Sequence, residues 1–173
     1  MGNFTETFYH FVWATKRREP LITPEVEPVL HDFIRHKCAE MGITVYAVNG
    51  MPDHVHLACT VPMTLAHSDF LEKIKGGSSY FVNHRPEWRD NLQICLRWQS
   101  CCGVLTYTRR DLPRIVAYID NQKRRHAQGT LWSGMERCDD GCNASLASSF
   151  GSLAPTGVFS AQPVASAAGI KEQ

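Results

Sequence analysis

The order of strand-like and helix-like segments is the feature that most constrains the fold of this chain. Helical periodicity runs from a Thr23 cap to Gly42, and again from about residue 65 or 68 to Asn83. A last helix is predicted from Thr108 or Asp111 to residue 127. Short β-branched and aromatic segments, typical of strands, lie at residues 8–15, 43–48, 54–61 and 96–107. This order is typical of an α+β, ferredoxin-like split βαβ sandwich, with an antiparallel sheet, helices on one face and an extra C-terminal helix.

Two local glycine signals bear on this plan. Asn49-Gly50 predicts a turn between the second and third strands, which Pro52 and Asp53 lengthen. Gly76-Gly77 lies inside the second helix, where each glycine costs roughly 1 kcal/mol relative to alanine. The pair therefore indicates close packing or close approach of a ligand, or else a kink or two separate helices.

Composition and charge narrow the class of protein. The chain has 173 residues, a net charge of +1 and no apolar run near the length of a membrane span. Residues 1–130 hold 16 Lys/Arg and 13 Asp/Glu, so any nucleic-acid surface must be local, unlike that of a protein that coats duplex DNA. Seven cysteines at irregular spacing, without a signal-peptide pattern, predict reduced thiols and a cytoplasmic protein.

The C-terminal part differs in composition. Residues 143–169 are dominated by Ala, Ser, Gly and Pro and show no periodicity. The sequence therefore predicts a folded domain over residues 1–132 and a low-complexity, disordered tail over 133–173.

Four residues in two short segments can build a site with chemistry. His54 and His56 flank Val55 on the third strand, so both imidazoles share one face while Val55 packs behind them. Tyr118 and Gln122 are four residues apart on the last helix and project together. A divalent cation held by two imidazoles and an amide oxygen, beside a phenol, suits attack on a phosphodiester. Taken singly, the same residues are also compatible with surface histidines, a core tyrosine and a solvated glutamine.

Basic residues fall into three groups around this predicted site. Each group is compatible with phosphate contacts or with a solvated face. The groups are Lys16, Arg17 and Arg18 in the first loop, Lys73 and Lys75 on the second helix, and Arg109, Arg110, Arg114, Lys123, Arg124 and Arg125 on or before the last helix.

These segments resemble the single-tyrosine HUH transposases of small bacterial insertion sequences, including the REP-associated tyrosine transposases. Residues 50–57 (GMPDHVHL) resemble the HUH metal motif, and residues 118–122 (YIDNQ) resemble the nucleophile segment. Supporting matches, in the expected order from residue 8 to about 132, are Tyr9 to Arg18, Lys75 to Ser79, Trp98-Gln99 and Thr106 to Thr108. One departure is Ser100-Cys101-Cys102-Gly103, where the family often has Gly-Tyr-Gly.

The resemblance implies a function and a set of roles. His54, His56 and Gln122 would hold Mg²⁺ or Mn²⁺, and Tyr118 would attack single-stranded DNA at hairpin-bearing ends, leaving a 5′-phosphotyrosine and a free 3′ hydroxyl. The enzyme would rejoin strands by reversing that step. It would act in the bacterial cytoplasm, on the nucleoid when bound to DNA, as a homodimer or a monomer, and without a small-molecule cofactor.

Three alternatives remain at this level. A domesticated protein could bind DNA hairpins without transposing, and would need the basic groups rather than Tyr118. A replication or relaxase-type HUH nuclease shares the metal motif, but is usually larger. An RNA-binding ferredoxin-like domain would leave His54 and His56 unexplained, and the strands lack the aromatic motif of such domains.

Overall fold

A computed structural model describes residues 6–89 and 95–138 of the protein. Within these residues a four-stranded sheet is combined with five helices. In chain order the elements are β1 (Phe8–Ala14), α1 (Val26–Glu40), β2 (Val45–Met51), β3 (His54–Thr60), α2 (His67–Asn83), α3 (Pro86–Arg89), β4 (Gly103–Tyr107), α4 (Leu112–Asp120) and α5 (Gln122–Gln128). Single 3₁₀ turns cover Lys16–Arg18 and Ser133–Met135. No helix in the described ranges is long and apolar enough to cross a membrane.

The sheet has the predicted ferredoxin-like arrangement. Its strand order is β2-β3-β1-β4, and β1 pairs antiparallel with both β3 and β4, as β2 does with β3. Alternation along the central strands separates two cores. Phe11, Trp13, Val55 and Leu57 pack with residues of α1 and α2, while Ala58 on the opposite face packs with Ile115 and other residues of α4. The α+β fold is therefore confirmed, and α4 lies across the sheet from the first two helices.

The first helix follows its sequence signals closely. It begins at Val26, whose backbone N–H donates to the Thr23 hydroxyl at 3.4 Å, and Glu27 N donates to the Thr23 carbonyl at 2.9 Å. Gly42, at φ +70, adopts the left-handed conformation that ends the helix, as predicted.

The prediction of a turn at Asn49-Gly50 is wrong, because both residues lie inside β2. Asn49 pairs with His56 and Gly50 with Val55, and the chain turns at Pro52 and Asp53 instead. Glycine is needed here for space, because a Cβ on Gly50 would lie 2.1 Å from the backbone oxygen of His54. The shorter connection places Asp53 directly before the first histidine of the H-x-H pattern.

The glycine pair in α2 marks close packing, and the helix continues through it. A Cβ on Gly77 would lie 3.0 Å from the Phe33 ring of α1, whereas a Cβ on Gly76 would meet nothing within 4 Å. Of the two interpretations of this pair, close packing is correct at Gly77.

The last predicted helix is two helices, so its prediction as one element is wrong. The backbone leaves helical geometry at Asn121 (φ −99, ψ 19), between α4 and α5. The Asn121 side chain donates to the Ala117 carbonyl at 2.8 Å, and Asn49 of β2 donates to the Asp120 carbonyl at 3.0 Å. Side chains thus replace backbone hydrogen bonds at the break, which falls between Tyr118 and Gln122.

Residues 133–138, which the sequence pattern assigns to the tail, pack on the domain. Met135 is buried against the α4 core, and Cys138 is buried against Val12 and Ala14 of β1. The remaining tail, residues 139–173, lies outside the described residues, and so does the prediction that it is disordered.

Candidate functional site

His54 and His56 lie on the face of the sheet that α4 covers. Val55 between them is buried in the core beneath α1 and α2, as the alternation predicts, so both imidazoles point to the opposite face. His54 is 2% exposed and His56 is 0% exposed. Buried polar rings of this kind require polar partners or a ligand.

Each of these imidazoles is held through its Nδ1 atom. His54 Nδ1 donates to Asp53 Oδ1 at 2.6 Å, and Arg18 Nη1 donates to Asp53 Oδ2 at 3.0 Å. His56 Nδ1 shares a hydrogen bond of 2.8 Å with His10 Nε2 on the neighbouring strand. The Nε2 atoms of both rings make no hydrogen bond within the described part of the chain. In a metal-ligating histidine, one ring nitrogen is held by a hydrogen bond while the other binds the metal. His54 and His56 have this arrangement.

Tyr118 is buried on the same face and is covered by the segment that follows α5. Its ring stacks on Trp132 at a centroid distance of 4.5 Å, and the Arg125 guanidinium lies 4.8 Å from the ring centroid. Trp132 N donates to the phenol oxygen at 3.3 Å, and the hydroxyl donates to Glu136 Oε1. Tyr118 has 0% exposure, so a substrate reaches it only by displacing part of this cover.

Gln122 is buried at the start of α5, just after the break. Neither atom of its amide makes a hydrogen bond of normal geometry with a described residue, yet the side chain is close enough to lower the Tyr118 pKa. Gln122 and Tyr118 therefore remain neighbours, as predicted, although they belong to different helices.

Glu136 and His126 join the site and were not predicted. Glu136 Oε2 lies 3.4 Å from His54 Nε2, 3.3 Å from His56 Nε2 and 3.7 Å from His126 Nε2. His54, His126 and Glu136 each offer one ligand atom within 4.8 Å of the others, a His-His-Glu set compatible with a divalent metal.

The sequence contains a usable signal for only one of these two residues. His126 follows Gln122 by four positions, so helical spacing could have placed both on one face. Glu136 lies beyond Gly129, in a segment without periodicity, and only the tertiary contacts bring it back to the sheet.

The charge states of the site suit metal binding. Burial would raise the Glu136 pKa, but the His56 and His54 imidazoles and the Tyr118 hydroxyl lower it to about 2, so the carboxylate is ionised. Burial lowers the His56 pKa, which keeps that imidazole neutral. Burial and the Glu136 hydrogen bond raise the Tyr118 pKa to about 12, so the phenol is protonated and needs assistance to act as a nucleophile.

Several basic residues contact a carboxylate, a carbonyl or an aromatic ring, although Arg18, Arg109, Arg114 and Lys123 are themselves exposed. Arg18 contacts Asp53, Lys75 Nζ donates to the Ser100 carbonyl at 2.9 Å, and Lys123 pairs with Glu27. Arg109 forms an ion pair with Glu6. The guanidinium groups of Arg114 and Arg125 lie over the Trp132 ring. The exposed remainder is Lys16, Arg17, Lys73, Arg110 and Arg124.

Residues 3–122 match the family model described as IS200-like transposase. The matched range includes the H-x-H strand, Tyr118 and Gln122, and it ends before His126 and Glu136. Among curated proteins, the chain is 32% identical over 116 residues to the ISDra2 transposase TnpA of Deinococcus radiodurans, covering 66% of this chain and 82% of that protein.

Two solved structures share the fold. A transposase from Deinococcus radiodurans R1 has a TM-score of 0.54 and 28% identity, covering 70% of this chain and 95% of that one. A REP-associated tyrosine transposase bound to a REP hairpin has a TM-score of 0.51 and 17% identity, covering 76% of each chain. The second likeness concerns the fold alone.

Proposed function

The chain belongs to the IS200-like transposases, and on this premise we propose that it cleaves and rejoins single-stranded DNA through Tyr118 with a divalent metal. The observation that carries the proposal is the placement of the phenol on the same sheet face as His54 and His56, with Glu136 in contact with all three. The phenol oxygen would attack a backbone phosphate, form a 5′-phosphotyrosyl link and release a 3′ hydroxyl. Attack by a new 3′ hydroxyl on that link would rejoin the strands and regenerate the phenol.

The residues present fit a divalent cation. Two buried Nε2 atoms without hydrogen bonds lie 3.3–3.4 Å from the ionised Glu136 carboxylate, and the buried Gln122 amide lies beside Tyr118. His54 and His56 would hold the ion, with Gln122 as the further ligand implied by the resemblance. When bound, Mg²⁺ or Mn²⁺ would supply Lewis-acid stabilisation of the scissile phosphate. The protein's own residues orient the phenol and exclude water from it.

The proposed substrate is single-stranded DNA that carries a hairpin. The REP-associated tyrosine transposase with the same fold is bound to a REP hairpin, and the exposed Lys16, Arg17 and Arg124 of this chain offer phosphate contacts from the loop after β1 and from α5. Lys73 lies on α2, on the opposite face of the sheet from the site. Lys16 and Arg17 lie in the connection after β1 that also holds Arg18. On this basis the protein would act in the bacterial cytoplasm, on the nucleoid.

One chain brings the Tyr118 and His56 ring centroids to 6.1 Å, which supports a site that a monomer, or each protomer of a homodimer, holds by itself. The test is complementation between two inactive proteins, Tyr118→Phe and His56→Ala. We expect their mixture to form no covalent adduct if phenol and metal site act in the same chain. Recovery of about a quarter to a half of the activity would indicate that dimeric partners exchange the Tyr118 helix.

The complete burial of Tyr118 favours a second candidate, a protein that binds DNA hairpins without cutting them. Incubation of the full chain with a pool of hairpin oligonucleotides, in Mg²⁺ or Mn²⁺ and then in EDTA, separates the two. A metal-dependent covalent protein–DNA species on a denaturing gel supports the transposase. Hairpin binding without such a species under either metal supports the binding protein.

Asp53→Asn is expected to weaken metal affinity by about 10- to 100-fold, because Asp53 orients His54 and raises the basicity of its free nitrogen. Calorimetric titration with Mn²⁺ measures the effect. Asp69→Asn is the matched control, since Asp69 is exposed on α2 across the sheet. Equal affinities in both variants would contradict a metal at His54.

A further inference from the structure

A groove lies between α2 and the residues that precede β4, away from the proposed reaction centre; we call it the α2 groove. Its volume is about 510 Å³, within the range of about 300–1,000 Å³ typical of clefts for small ligands. One wall is a face of α2, and the other is a segment that pairs with the end of β1 at the edge of the sheet. The lining includes Leu71, Glu72, Gly76, Ser79, Trp98 and Ser100.

Gly76 is the lining residue that points to a ligand. A glycine inside a helix costs roughly 1 kcal/mol relative to alanine, and close packing explains only its neighbour Gly77. A Cβ on Gly76 would meet nothing within 4 Å outside its own helix in the described part of the chain, and the residue is exposed. Without a Cβ, the backbone of α2 is open to close approach by a flat molecule in the groove.

The opposite wall is an indole ring held in a fixed orientation. Trp98 Nε1 donates to the Ser78 hydroxyl at 3.0 Å, and the ring packs edge to face on Trp13 at a centroid distance of 6.1 Å. Lys75 Nζ donates to the Ser100 carbonyl at 2.9 Å, which fastens this segment to α2. Trp98 is half-buried, so part of the ring surface remains exposed. A fixed and partly exposed aromatic ring suits stacking with a nucleobase.

The charges in the groove favour a base over a phosphate. The exposed Glu72 carboxylate repels phosphate oxygens but accepts hydrogen bonds from base N–H groups, such as the amino group of cytosine. The Lys75 ammonium is directed at backbone carbonyls of the neighbouring segment. The α2 groove therefore has the character of a pocket for a neutral, flat ring with polar edges.

Positive charge lies next to the groove. Lys16, Arg17 and Arg97 line a second cleft, and the backbone N–H of Lys16 donates to the Arg97 carbonyl at 2.8 Å. Arg97 is exposed and directly precedes Trp98 in the chain. Phosphates held by these three cations would therefore place a neighbouring base at the indole ring. Basic side chains beside an aromatic ring are the usual combination in single-strand binding.

We propose that the α2 groove binds one unpaired base of single-stranded DNA between Gly76 and Trp98, while Lys16, Arg17 and Arg97 bind the adjacent phosphates. This inference rests on the proposed function and deepens it, because it names a base-binding subsite that lies apart from Tyr118. Ser100 belongs to the segment that departs from the Gly-Tyr-Gly pattern, so one wall of the groove differs from the family pattern.

Fluorescence anisotropy of the full chain in EDTA tests the base subsite. The probes are a labelled oligodeoxycytidine of about ten nucleotides and an abasic strand of the same length. We expect the wild type to bind the base-bearing strand at least about fivefold more tightly. Gly76→Leu fills open space with a good helix former, and it should remove this preference while binding of the abasic strand is unchanged.

Ala39→Leu is the matched control, since Ala39 is exposed on α1 and lies outside the groove. It should keep the preference of the wild type for the base-bearing strand. Equal binding of both strands by the wild type would overturn the proposal. A preference that persists in Gly76→Leu would do so as well, because the base would then bind elsewhere.

Arg97→Gln tests the phosphate contacts. We expect it to weaken binding of the base-bearing and abasic strands alike, by about three- to tenfold, and to make binding less dependent on salt. Anisotropy titrations at several salt concentrations measure both effects. Unchanged affinity for the abasic strand would contradict the assignment of Arg97 to a phosphate.

Photocrosslinking locates the bound base and separates this inference from the function on which it rests. An oligodeoxycytidine that carries 5-iodocytosine should crosslink to Trp98 in the wild type and in Tyr118→Phe, but not in Gly76→Leu; peptide mass spectrometry identifies the site. Absence of a Trp98 crosslink in the wild type would overturn the proposal, even if Tyr118 forms its covalent adduct. If no DNA yields that adduct, the proposed function fails, while the strand preference and the crosslink still decide the groove.

Discussion

Tyr118→Phe is expected to abolish the covalent protein–DNA adduct while leaving hairpin binding and metal affinity within about twofold of the wild type. The change removes one oxygen, the proposed nucleophile, and keeps the ring that stacks on Trp132. The lost hydrogen bonds to Glu136 and Trp132 should lower the free energy of unfolding by about 1–3 kcal/mol, which the folded state tolerates. Denaturing gels measure the adduct, and gel shift in EDTA measures hairpin binding.

The matched control is Tyr80→Phe, because Tyr80 is 66% exposed on α2, across the sheet from the site. It should retain full adduct formation. An adduct that persists in Tyr118→Phe would assign the nucleophile to another residue. Loss of hairpin binding together with the adduct would mean that the substitution had disturbed the fold.

The fold could be predicted because its signals are local. β-Branched and aromatic segments predicted β1 and β3, helical spacing predicted α1 and α2, and Gly42 supplied the left-handed residue that ends α1. The common face of His54 and His56 follows from the same alternation, since residues two apart on a strand always point the same way.

The remaining features depend on contacts between segments distant in sequence. Asn49-Gly50 has the composition of a turn, but backbone crowding at His54 requires glycine within the strand. The break between α4 and α5 depends on Asn49, some 71 residues before the carbonyl that it caps. Glu136 reaches the histidines through a segment without periodicity, so no spacing rule could connect it to them.

The hydrogen-bond partners of His54 and His56 also differ in whether they are local in sequence or brought close by strand pairing. Asp53 is adjacent in sequence to His54, so their hydrogen bond is a local contact. His10, by contrast, becomes the partner of His56 only when β1 and β3 pair, 46 residues apart. The residues that support a metal ligand are therefore harder to predict than the ligand itself, because they depend on strand register.

Gly50→Ala is expected to destabilise the protein by about 1–3 kcal/mol or more, whereas Gly76→Ala should stabilise it by about 0.5–1 kcal/mol. A Cβ at position 50 would lie 2.1 Å from the His54 oxygen and 3.0 Å from Val55 Cα, both backbone atoms that cannot rotate away. A Cβ at position 76 meets nothing within 4 Å, and alanine there restricts the unfolded chain and favours the helix. Urea denaturation measures both changes.

The same pair of variants tests whether the register between β2 and β3 controls the geometry of the metal site. Relief of the contact at Gly50 requires β2 and β3 to move apart next to His54, which would shift that imidazole relative to His56 and Glu136. Gly50→Ala should therefore also weaken Mn²⁺ binding, while Gly76→Ala should not, because α2 lies across the sheet. Equal stability of the two variants would place Gly50 outside the paired strand, as the turn prediction had it. Loss of stability with unchanged Mn²⁺ affinity would instead show that the metal ligands are held independently of the β2–β3 register.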